Sequence, residues 1–425
     1  MADVRPLRGI RYDPAVVILG GVLAPPYDVI DEAGRADLYA ADLRNIIRID
    51  FGEDLPGDVP GRIDRYTRAA GHLRSWLSLG VLVRDPVPSF YVTEHHFGAP
   101  DGSDRVRRGL IATVRAAAWE QSDLRPHEHT MRGPKKDRLA LMRATATQSS
   151  PVFAVWREAP AMAAILAGVA SRPPSAGGRT AGEMGPEKHL LWTVSDPATV
   201  SAVAAALADA TLYVADGHHR YETAAAYAAE RAAAGDGPDA GSQFALVYLA
   251  DAADPGISLL PTHRLLRPRE GAAFSRDDLW MRLDDGWDLE ASAELASAAA
   301  RAAGLRPERH AYALRARDGS AVLSRPRTAT GSPSAGLDVA VLEEQVLRRA
   351  GADEVGLSEG GALAYTRSLD EVDSAVASGA AVLGFGVNAA TTAEMIAVAD
   401  AAEVMPQKST YFYPKVPTGL VLSPL

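Results

Sequence analysis

The chain of 425 residues contains no cysteine. This absence excludes disulfides, catalysis by a thiolate, and zinc or iron–sulfur sites that are built on cysteine ligands. A chain without disulfides also fits a reducing compartment.

The chain also lacks long apolar runs, and its 54 acidic residues outnumber its 44 basic ones. No window approaches the roughly 18 apolar residues that a membrane-spanning helix needs, and "MADVRPLRGIRYDPAVV" lacks the apolar core of a signal peptide. The formal net charge is -10, which disfavours binding to nucleic acid and to anionic lipid. We therefore expect a cytoplasmic protein whose partner is neither a membrane nor a nucleic acid. The oligomeric state does not follow from the sequence.

The rest of the composition is that of an ordinary globular protein, with 47% hydrophobic and 23% charged residues. Strand and helix patterns alternate, which predicts the α/β class with mixed sheets (α+β in character). Residues 89–97 and 105–117 alternate in polarity and predict paired strands. Residues 16–30 predict a buried strand followed by a turn. The Pro/Gly-rich residues 171–187 predict an exposed loop.

One short stretch, "YVADGHHRYETAAAY", concentrates polar residues where a predicted strand meets a predicted helix. The first turn of a helix has unpaired backbone N–H groups and the positive end of the helix dipole, so added cations make it an anion site. An aspartate before the turn can coordinate Mg²⁺ or orient a histidine. The alternative is an aspartate helix cap beside two partly buried histidines. The candidate residues are Asp216, Gly217, His218, His219 and Arg220.

A second stretch, "RPHEHTMRGPKKDR", is strongly basic within an acidic protein. Glu128 is the sole glutamate among these cations and should stay ionised, which suits a general base or a metal ligand. Lys135 and Arg138 are three residues apart and share one face of the predicted helix. A solvated basic loop is the alternative. The candidate phosphate- or substrate-binding residues here are His127, Thr130, Lys135 and Arg138.

Weaker signals lie elsewhere in the chain. His263 and Arg264 follow Pro-Thr at a predicted strand end, and "MPQKST" places Lys408, Ser409 and Thr410 in a polar turn that also suits phosphate binding. The second motif lacks the glycine-rich lead of a phosphate loop, so an ordinary polar turn is the alternative.

Two further pairs of residues are explained by a structural role at least as well as by a functional one. Tyr27 and Asp28 follow a rigid Pro-Pro turn, where Asp28 is either a site residue or a cap. His95 and His96 are neighbours on an alternating strand and therefore point to opposite faces. We expect a surface or packing role for both histidines.

The motifs "LAPPYDVI", "HEHTMRGPKKDRLALMRAT", "YVADGHHRYETA", "LLPTHRLL" and "MPQKSTYFYPK" together resemble, in order and from end to end, the domain of unknown function 1015 family. The order "RPHEHT", "KKDRLALMRA", "SPVFAVW", "YVADGHHRYETA" also resembles the ParB/sulfiredoxin-like superfamily, in particular its free-serine kinase branch. The segment between residues 157 and 208 is longer than in that minimal fold.

The resemblance implies a domain plan. Residues 116–270 would form a ParB/sulfiredoxin-like core that carries the phosphate-binding motifs. Residues 1–115 and 271–425 would form N-terminal and C-terminal α/β regions. A sulfiredoxin-type reductase is excluded, because its chemistry needs a cysteine.

The resemblance also implies roles for the candidate residues. Glu128 would take a proton from a substrate hydroxyl, and the turn at Asp216–Arg220 would hold the transferring phosphate with its Mg²⁺. The expected activity is a phosphotransferase for a small hydroxylated metabolite, free serine above others, with a nucleotide or another phosphoanhydride as donor. We expect the "RPHEHT" loop and the "DGHHR" turn to face each other across one cleft.

Three alternatives remain open from the sequence. A phosphatase of a small phosphometabolite such as phosphoserine needs the same phosphate cradle, with water as acceptor. A ParB-like nucleotide-binding module without catalysis is less favoured, because the chain is acidic and shows no clear helix-turn-helix motif. A scaffold protein would have no need of His218, His219 or Glu128.

Overall fold

The computed structural model describes residues 2–128, 132–268, 275–283, 285–328, 331–350 and 362–425. Helices and strands alternate along these residues, and the sheets contain both parallel and antiparallel pairs. The predicted α/β class with mixed sheets is therefore confirmed. Within the described ranges, no helix combines the length and the apolar character needed to cross a membrane.

The helices of the described residues are α1 (Leu19–Val22), α2 (Glu32–Ala41), α3 (Ile47–Asp50), α4 (Arg65–Ser78), α5 (Arg132–Thr145), α6 (Ala161–Ala170), α7 (Pro197–Leu207), α8 (His218–Ala233), α9 (Arg276–Trp280), α10 (Leu295–Leu305), α11 (Asp338–Leu342), α12 (Leu369–Ala377) and α13 (Thr392–Asp400). Short 3₁₀ turns occur at Tyr27–Val29, Trp119–Gln121 and Gly241–Gln243, and a π-helical turn, Glu343–Leu347, follows α11.

The strands are β1 (Val4–Arg5), β2 (Ile10–Tyr12), β3 (Leu82–Arg84), β4 (Phe90–Gly98), β5 (Asp104–Arg115), β6 (Leu124–Arg125), β7 (Thr147–Gln148), β8 (Val152–Arg157), β9 (Ala176–Thr180), β10 (Glu187–Val194), β11 (Thr211–Asp216), β12 (Phe244–Asp251), β13 (Ser258–Leu259), β14 (His263–Leu266), β15 (Asp288–Ser292), β16 (Arg309–Ala316), β17 (Gly319–Pro326), β18 (Leu363–Thr366), β19 (Leu383–Gly386), β20 (Phe412–Tyr413) and β21 (Ser423–Pro424).

The chain forms two compact units. Unit 1 comprises Met1–Pro126, Thr130–Ser258 and Pro414–Leu425, and unit 2 comprises His127–His129 and Leu259–Tyr413. The division into regions 1–115, 116–270 and 271–425 stays a prediction.

Unit 1 is built on a sheet of nine described strands in the order β6-β11-β8-β12-β5-β4-β10-β9, with β1 paired to β5. Strand β8 is antiparallel to β11 and parallel to β12, so the sheet is mixed at its centre. The predicted pair at residues 89–97 and 105–117 is confirmed as β4 and β5. Apolar side chains of β5, β8, β11 and β12 are fully buried in a core with α6, α7 and α8.

Unit 2 has a sheet of six described strands in the order β15-β17-β16-β19-β14-β18. One cluster of buried apolar residues includes side chains of β16, α11 and the π-helical turn, and a second packs α10 and α12 against β16 and β17. This arrangement buries the strand ends that carry His263 and Arg264.

Two of the local predictions are wrong, and glycines lie at the contact between the two segments. Residues 16–30 contain helix α1 instead of a strand, and residues 171–187 contain the edge strand β9 instead of a loop only. A Cβ on Gly20 would lie 1.9 Å from the Arg179 carbonyl oxygen, and one on Gly178 would lie 2.3 Å from the Gly20 nitrogen. Glycine is needed at these two positions because the two backbones pack directly against each other. The number of glycines in a segment does not distinguish this packing role from loop formation.

Candidate functional site

The predicted site residues fall into two groups, one in each unit. Unit 1 contains Lys135, Arg138, Asp216, Gly217, His218, His219 and Arg220, and unit 2 contains His127, Glu128, His263, Arg264, Lys408, Ser409 and Thr410. Thr130 lies outside the described residues.

The turn before α8 has the predicted strand–turn–helix form. Strand β11 ends at Asp216, and α8 begins at His218. Gly217 between them has φ +92°, in the left-handed region that side chains disfavour. The Arg220 guanidinium folds back over this glycine, and a Cβ there would lie 2.8 Å from its Nε. Glycine is therefore favoured at position 217 for two reasons: its backbone has a positive φ, and the Arg220 guanidinium occupies the space of a Cβ.

Arg220 ties the turn to the entry of β8. It donates one hydrogen bond of 2.6 Å to Asp216 Oδ2 and another of 3.0 Å to Ser150 Oγ, and it also contacts the carbonyl of Pro151. Its side chain is 8% exposed. The arginine therefore holds the turn in shape, a role that the sequence did not separate from direct phosphate contact.

Lys415 completes this ion cluster from the C-terminal segment. Its Nζ donates to Asp216 Oδ1 at 2.8 Å. Burial by itself would raise the pKa of the Asp216 carboxyl, but Lys415, Arg220 and His218 outweigh burial and hold that pKa well below its usual range. One carboxylate thus sits between two permanent cations, and the cluster carries a net positive charge.

The same geometry argues against Asp216 as a magnesium ligand. Both of its oxygens already accept hydrogen bonds from cationic donors, Lys415 and Arg220. A hard dication would have to displace one of them and would be repelled by the other. The residues present do not fit a protein-held Mg²⁺ at this carboxylate.

The two histidines differ in their surroundings. His218 is buried, with its ring 6.2 Å from that of Trp119, whereas His219 is half-buried. Both belong to the first turn of a 16-residue helix, where the backbone N–H groups have no partner within the helix. Positive charge, N–H donors and imidazoles therefore converge on one turn.

Helix α5 brings the second basic motif to α8 within unit 1. Lys135 pairs with Glu222 of α8. Arg138 is buried, pairs with its neighbour Asp137 at 2.6 Å, and lies over the ring of Tyr27 at 4.1 Å. The two basic residues share a helix face as predicted, yet each is engaged by its own carboxylate.

A cavity of about 40 Å³ lies between these elements. Its lining includes Asp50, Arg138, Ser149, Ser150, Arg220 and Thr223. Ser149 donates to Asp50 Oδ1 at 2.6 Å, while Asp50 Oδ2 and Arg138 Nη1 have no hydrogen-bond partner within the described part of the chain. The cavity has room for a water molecule and offers it several polar partners.

Sequence reasoning missed Asp50 and Ser150. The signal for Asp50 is a single acid at the end of the apolar run "NIIRIDF", where an unpaired buried carboxylate would be costly. Tyr27, from the "APPYD" motif, lies near the same arginines. Burial and Asp28 raise the pKa of the Tyr27 hydroxyl to about 12, against the opposing effect of Arg220 and Arg138.

In unit 2, His127 and Glu128 are held against the "MPQKST" segment. The His127 carbonyl accepts from Met405 N at 2.8 Å, and His127 Nε2 lies 3.0 Å from Thr410 Oγ1. Glu128 pairs as an isolated bridge with Met405, and its Oε1 accepts from Lys408 N at 3.4 Å. Two motifs that are 280 residues apart therefore form one local structure.

His263 and Arg264 support this structure from the buried strand β14. Arg264 is fully buried, donates to the Gln407 carbonyl at 3.2 Å and lies 3.4 Å from Glu343. His263 Nδ1 accepts from Val387 N at 3.2 Å. Burial, followed by the charge of Arg264, lowers the pKa of His263 to about 4, so the imidazole is neutral at pH 7.

The geometry supports one kind of chemistry in unit 1. A net positive ion cluster at a helix N-terminus has the charge and the N–H donors that suit an anion such as phosphate. Glu128 and the "DGHHR" turn belong to different units, so the predicted cleft between them stays a prediction.

Comparison with known proteins gives a family. The sequence model described as "Protein of unknown function (DUF1015)" matches residues 4–340, more than half of the chain. None of the curated proteins matches the sequence.

Solved structures give weaker likenesses. A conserved hypothetical protein from Pyrococcus furiosus has a TM-score of 0.35 at 15% identity, covering 70% of this chain and 90% of its own. A free serine kinase in complex with AMP has a TM-score of 0.34 at 16% identity, covering 70% and 89%. SbnI with a C-terminal truncation, from Staphylococcus aureus, has a TM-score of 0.34 at 12% identity, covering 72% and 85%. At these TM-scores the likenesses support no inference.

Proposed function

We propose that this chain, which belongs to the DUF1015 family, is a phosphotransferase that moves a phosphoryl group to the hydroxyl of a small metabolite. Free serine is the favoured acceptor, and a nucleotide or another phosphoanhydride is the donor. The observation that carries the proposal is the ion cluster of Asp216, Arg220 and Lys415 at the first turn of α8. The proposed location is the cytoplasm.

The cluster suits phosphate for three physical reasons. Its two cations outnumber its single carboxylate, so an approaching phosphate meets a net positive charge. The N–H groups of the first helical turn supply directional donors at the positive end of the helix dipole. His218 and His219 add two imidazoles beside them. Phosphoryl transfer depends mainly on such positioning and charge neutralisation.

In this proposal Asp216 is a positioning residue. Its carboxylate stays ionised and holds the Lys415 ammonium and the Arg220 guanidinium in place. Lys415 and the histidines contact the phosphate. Any Mg²⁺ enters with the donor as part of the substrate, because the Asp216 oxygens are already engaged.

The transfer step needs a base for the acceptor hydroxyl. We assign this role to Glu128, whose carboxylate is held by the Lys408 N–H. The hydroxyl oxygen attacks the terminal phosphorus, its proton passes to Glu128, and the bond from phosphorus to the bridging oxygen of the donor breaks. His127, Lys408, Ser409 and Thr410 would position the acceptor beside that carboxylate.

The test is ligand-induced thermal stabilisation of the purified protein. The panel consists of ATP, ADP, pyrophosphate, serine and O-phosphoserine, each with and without Mg²⁺. A ligand that binds the folded protein raises its melting temperature, by an amount that grows with the logarithm of the ligand concentration divided by Kd. We expect stabilisation by phosphate ligands that is lost in His218→Ala and retained in His96→Ala, whose histidine lies on β4 and is 37% exposed.

The pattern of ligands separates the possible functions. Stabilisation by ATP together with serine supports the kinase, and O-phosphoserine alone supports the phosphatase. A nucleotide that stabilises without any turnover supports the binding module. Under the kinase proposal, Glu128→Gln keeps ligand binding and loses about 10²- to 10⁴-fold in rate. No shift with any phosphate ligand would refute the phosphate-binding turn itself.

A further inference from the structure

The register of the unit 1 sheet collects three potential metal ligands away from the phosphate-binding turn. Strands β4 and β10 are antiparallel, and His95 is directly opposite His189. Glu187 lies two residues before His189 on the same strand, so its side chain points to the same face. Neighbouring side chains on one face of paired strands lie within contact distance. His96, one residue from His95, points to the other face.

The three side chains are buried and close together. His95, Glu187 and His189 are 4%, 8% and 2% exposed. His95 Nε2 lies 2.7 Å from Glu187 Oε2, His189 Nε2 lies 3.9 Å from the same oxygen, and one ligand atom from each residue falls within 4.8 Å of the others. Ligands of a tetrahedral zinc ion, at about 2.0–2.1 Å from the metal, are roughly 3.4 Å apart. Shifts of under about 1 Å would convert one arrangement into the other.

We propose that His95, Glu187 and His189 form a site for one zinc-like transition-metal dication, with a fourth position left for water. Two imidazoles and a carboxylate are ligands that zinc prefers, and the absence of cysteine leaves this as the type of zinc site open to the chain. A cavity of about 10 Å³ borders both imidazoles and has room for one small group.

Metal binding exchanges existing hydrogen bonds for metal bonds. In the metal-free state, His95 pairs with Glu187, and His189 Nε2 lies 2.9 Å from Thr180 Oγ1. Arg107 Nη2 lies 3.4 Å from His95 Nδ1. When His95 binds the metal through Nε2, its ring proton lies on Nδ1, so the guanidinium would have to move away from that nitrogen. Its Nη1 donates to the Pro414 carbonyl at 2.9 Å, a hydrogen bond that does not involve the histidine.

A buried site of this kind acts on stability. The ion would join β4 to β10 through side chains, in addition to their backbone pairing. Because the ligand set is assembled only in the folded chain, metal binding favours folding. We therefore expect zinc to raise the melting temperature of the metal-free protein and a strong chelator to lower that of the loaded protein.

The test uses Co²⁺ as a visible probe for the zinc site. The full-length protein is stripped with a chelator, titrated with Co²⁺ while visible absorption is recorded, and then challenged with Zn²⁺. We expect one Co²⁺ per chain with the absorption of low-coordinate cobalt, displaced by one equivalent of Zn²⁺. His95→Gln and His189→Gln should each weaken binding by at least about tenfold, and His96→Gln should leave binding unchanged.

Two results would overturn the proposal. One is the absence of stoichiometric Co²⁺ or Zn²⁺ binding to the wild-type chain, which would leave a hydrogen-bonded cluster only. The other is binding that survives unchanged in both glutamine variants, which would place the ion elsewhere. Circular dichroism establishes that each variant is folded. The wild-type spectrum decides the question if a variant does not fold.

Discussion

Replacing Gly217 with alanine tests whether the turn at Asp216–Arg220 has the conformation described. The backbone cost of an alanine in the left-handed region is roughly 1–2 kcal/mol. The new Cβ would also lie 2.8 Å from Arg220 Nε and 2.9 Å from its Nη2, so the guanidinium must move. That movement breaks the 2.6 Å pair between Arg220 and Asp216, whose side chains are 8% and 18% exposed.

The free-energy cost of displacing Arg220 depends on which partners Asp216 keeps. Breaking a buried ion pair by removing one partner costs roughly 3–5 kcal/mol. Asp216 keeps Lys415, and its side chain retains some contact with solvent, so we expect about 1–3 kcal/mol for displacing Arg220. The total for Gly217→Ala is then roughly 2–5 kcal/mol of unfolding free energy.

Gly235→Ala is the matched control. Gly235 follows the same helix, has φ +102°, and has no atom within 4 Å of an added Cβ. The Gly235→Ala substitution therefore has only the backbone cost of the left-handed conformation. The assay is denaturant unfolding, together with hydrogen exchange of the peptides that cover residues 211–233. If Gly217→Ala is no more destabilising than Gly235→Ala, the close packing of Arg220 on the turn is refuted.

Two further predictions concern stability. Gly178→Ala should lose about 1–3 kcal/mol, because its Cβ would meet the backbone of Gly20 at 2.3 Å. Gly168→Ala in α6, with open space around its Cβ, should be neutral or slightly stabilising in the same denaturation assay. His263 has a folded pKa of about 4 against 6.5 when exposed, owing first to burial and then to the adjacent guanidinium. As pH falls from 6.5 to 4, the unfolded chain takes up this proton first, so about 3 kcal/mol of stability present above pH 6.5 is lost. His263→Gln should flatten the measured pH dependence over that range, and an unchanged slope would contradict the assignment.

The local structure of the turn at Asp216–Arg220 could be predicted from the sequence. An apolar strand, Asp-Gly and an alanine-rich helix dictate a strand–turn–helix, and α8 begins at His218 as expected. The same local rules explain the start of α7, where the Asp196 side chain accepts a hydrogen bond from Thr199 N at 2.9 Å. Local sequence preferences are sufficient to predict a helix, strand or turn that is specified by its own residues.

The long-range contacts of the cluster could not be predicted in this way. Lys415 reaches Asp216 across 199 positions of the chain, and no local pattern marks that pairing. The structural role of Arg220 follows from its packing over Gly217, which depends on where β8 begins. The sequence does not reveal the role of the β9 glycines, because close backbone packing and loop formation favour the same residue type.

The measurement that tests the central claim most directly is calorimetric titration of pyrophosphate into the wild-type chain and into Lys415→Met. Lys188→Met, on β10 of the same unit, is the control for loss of one positive charge. We predict measurable binding to the wild type and to the control, and at least about tenfold weaker binding to Lys415→Met, since a lost charged contact costs roughly 1.5–3 kcal/mol. Equal affinity in all three proteins would show that phosphate does not bind at the turn of α8.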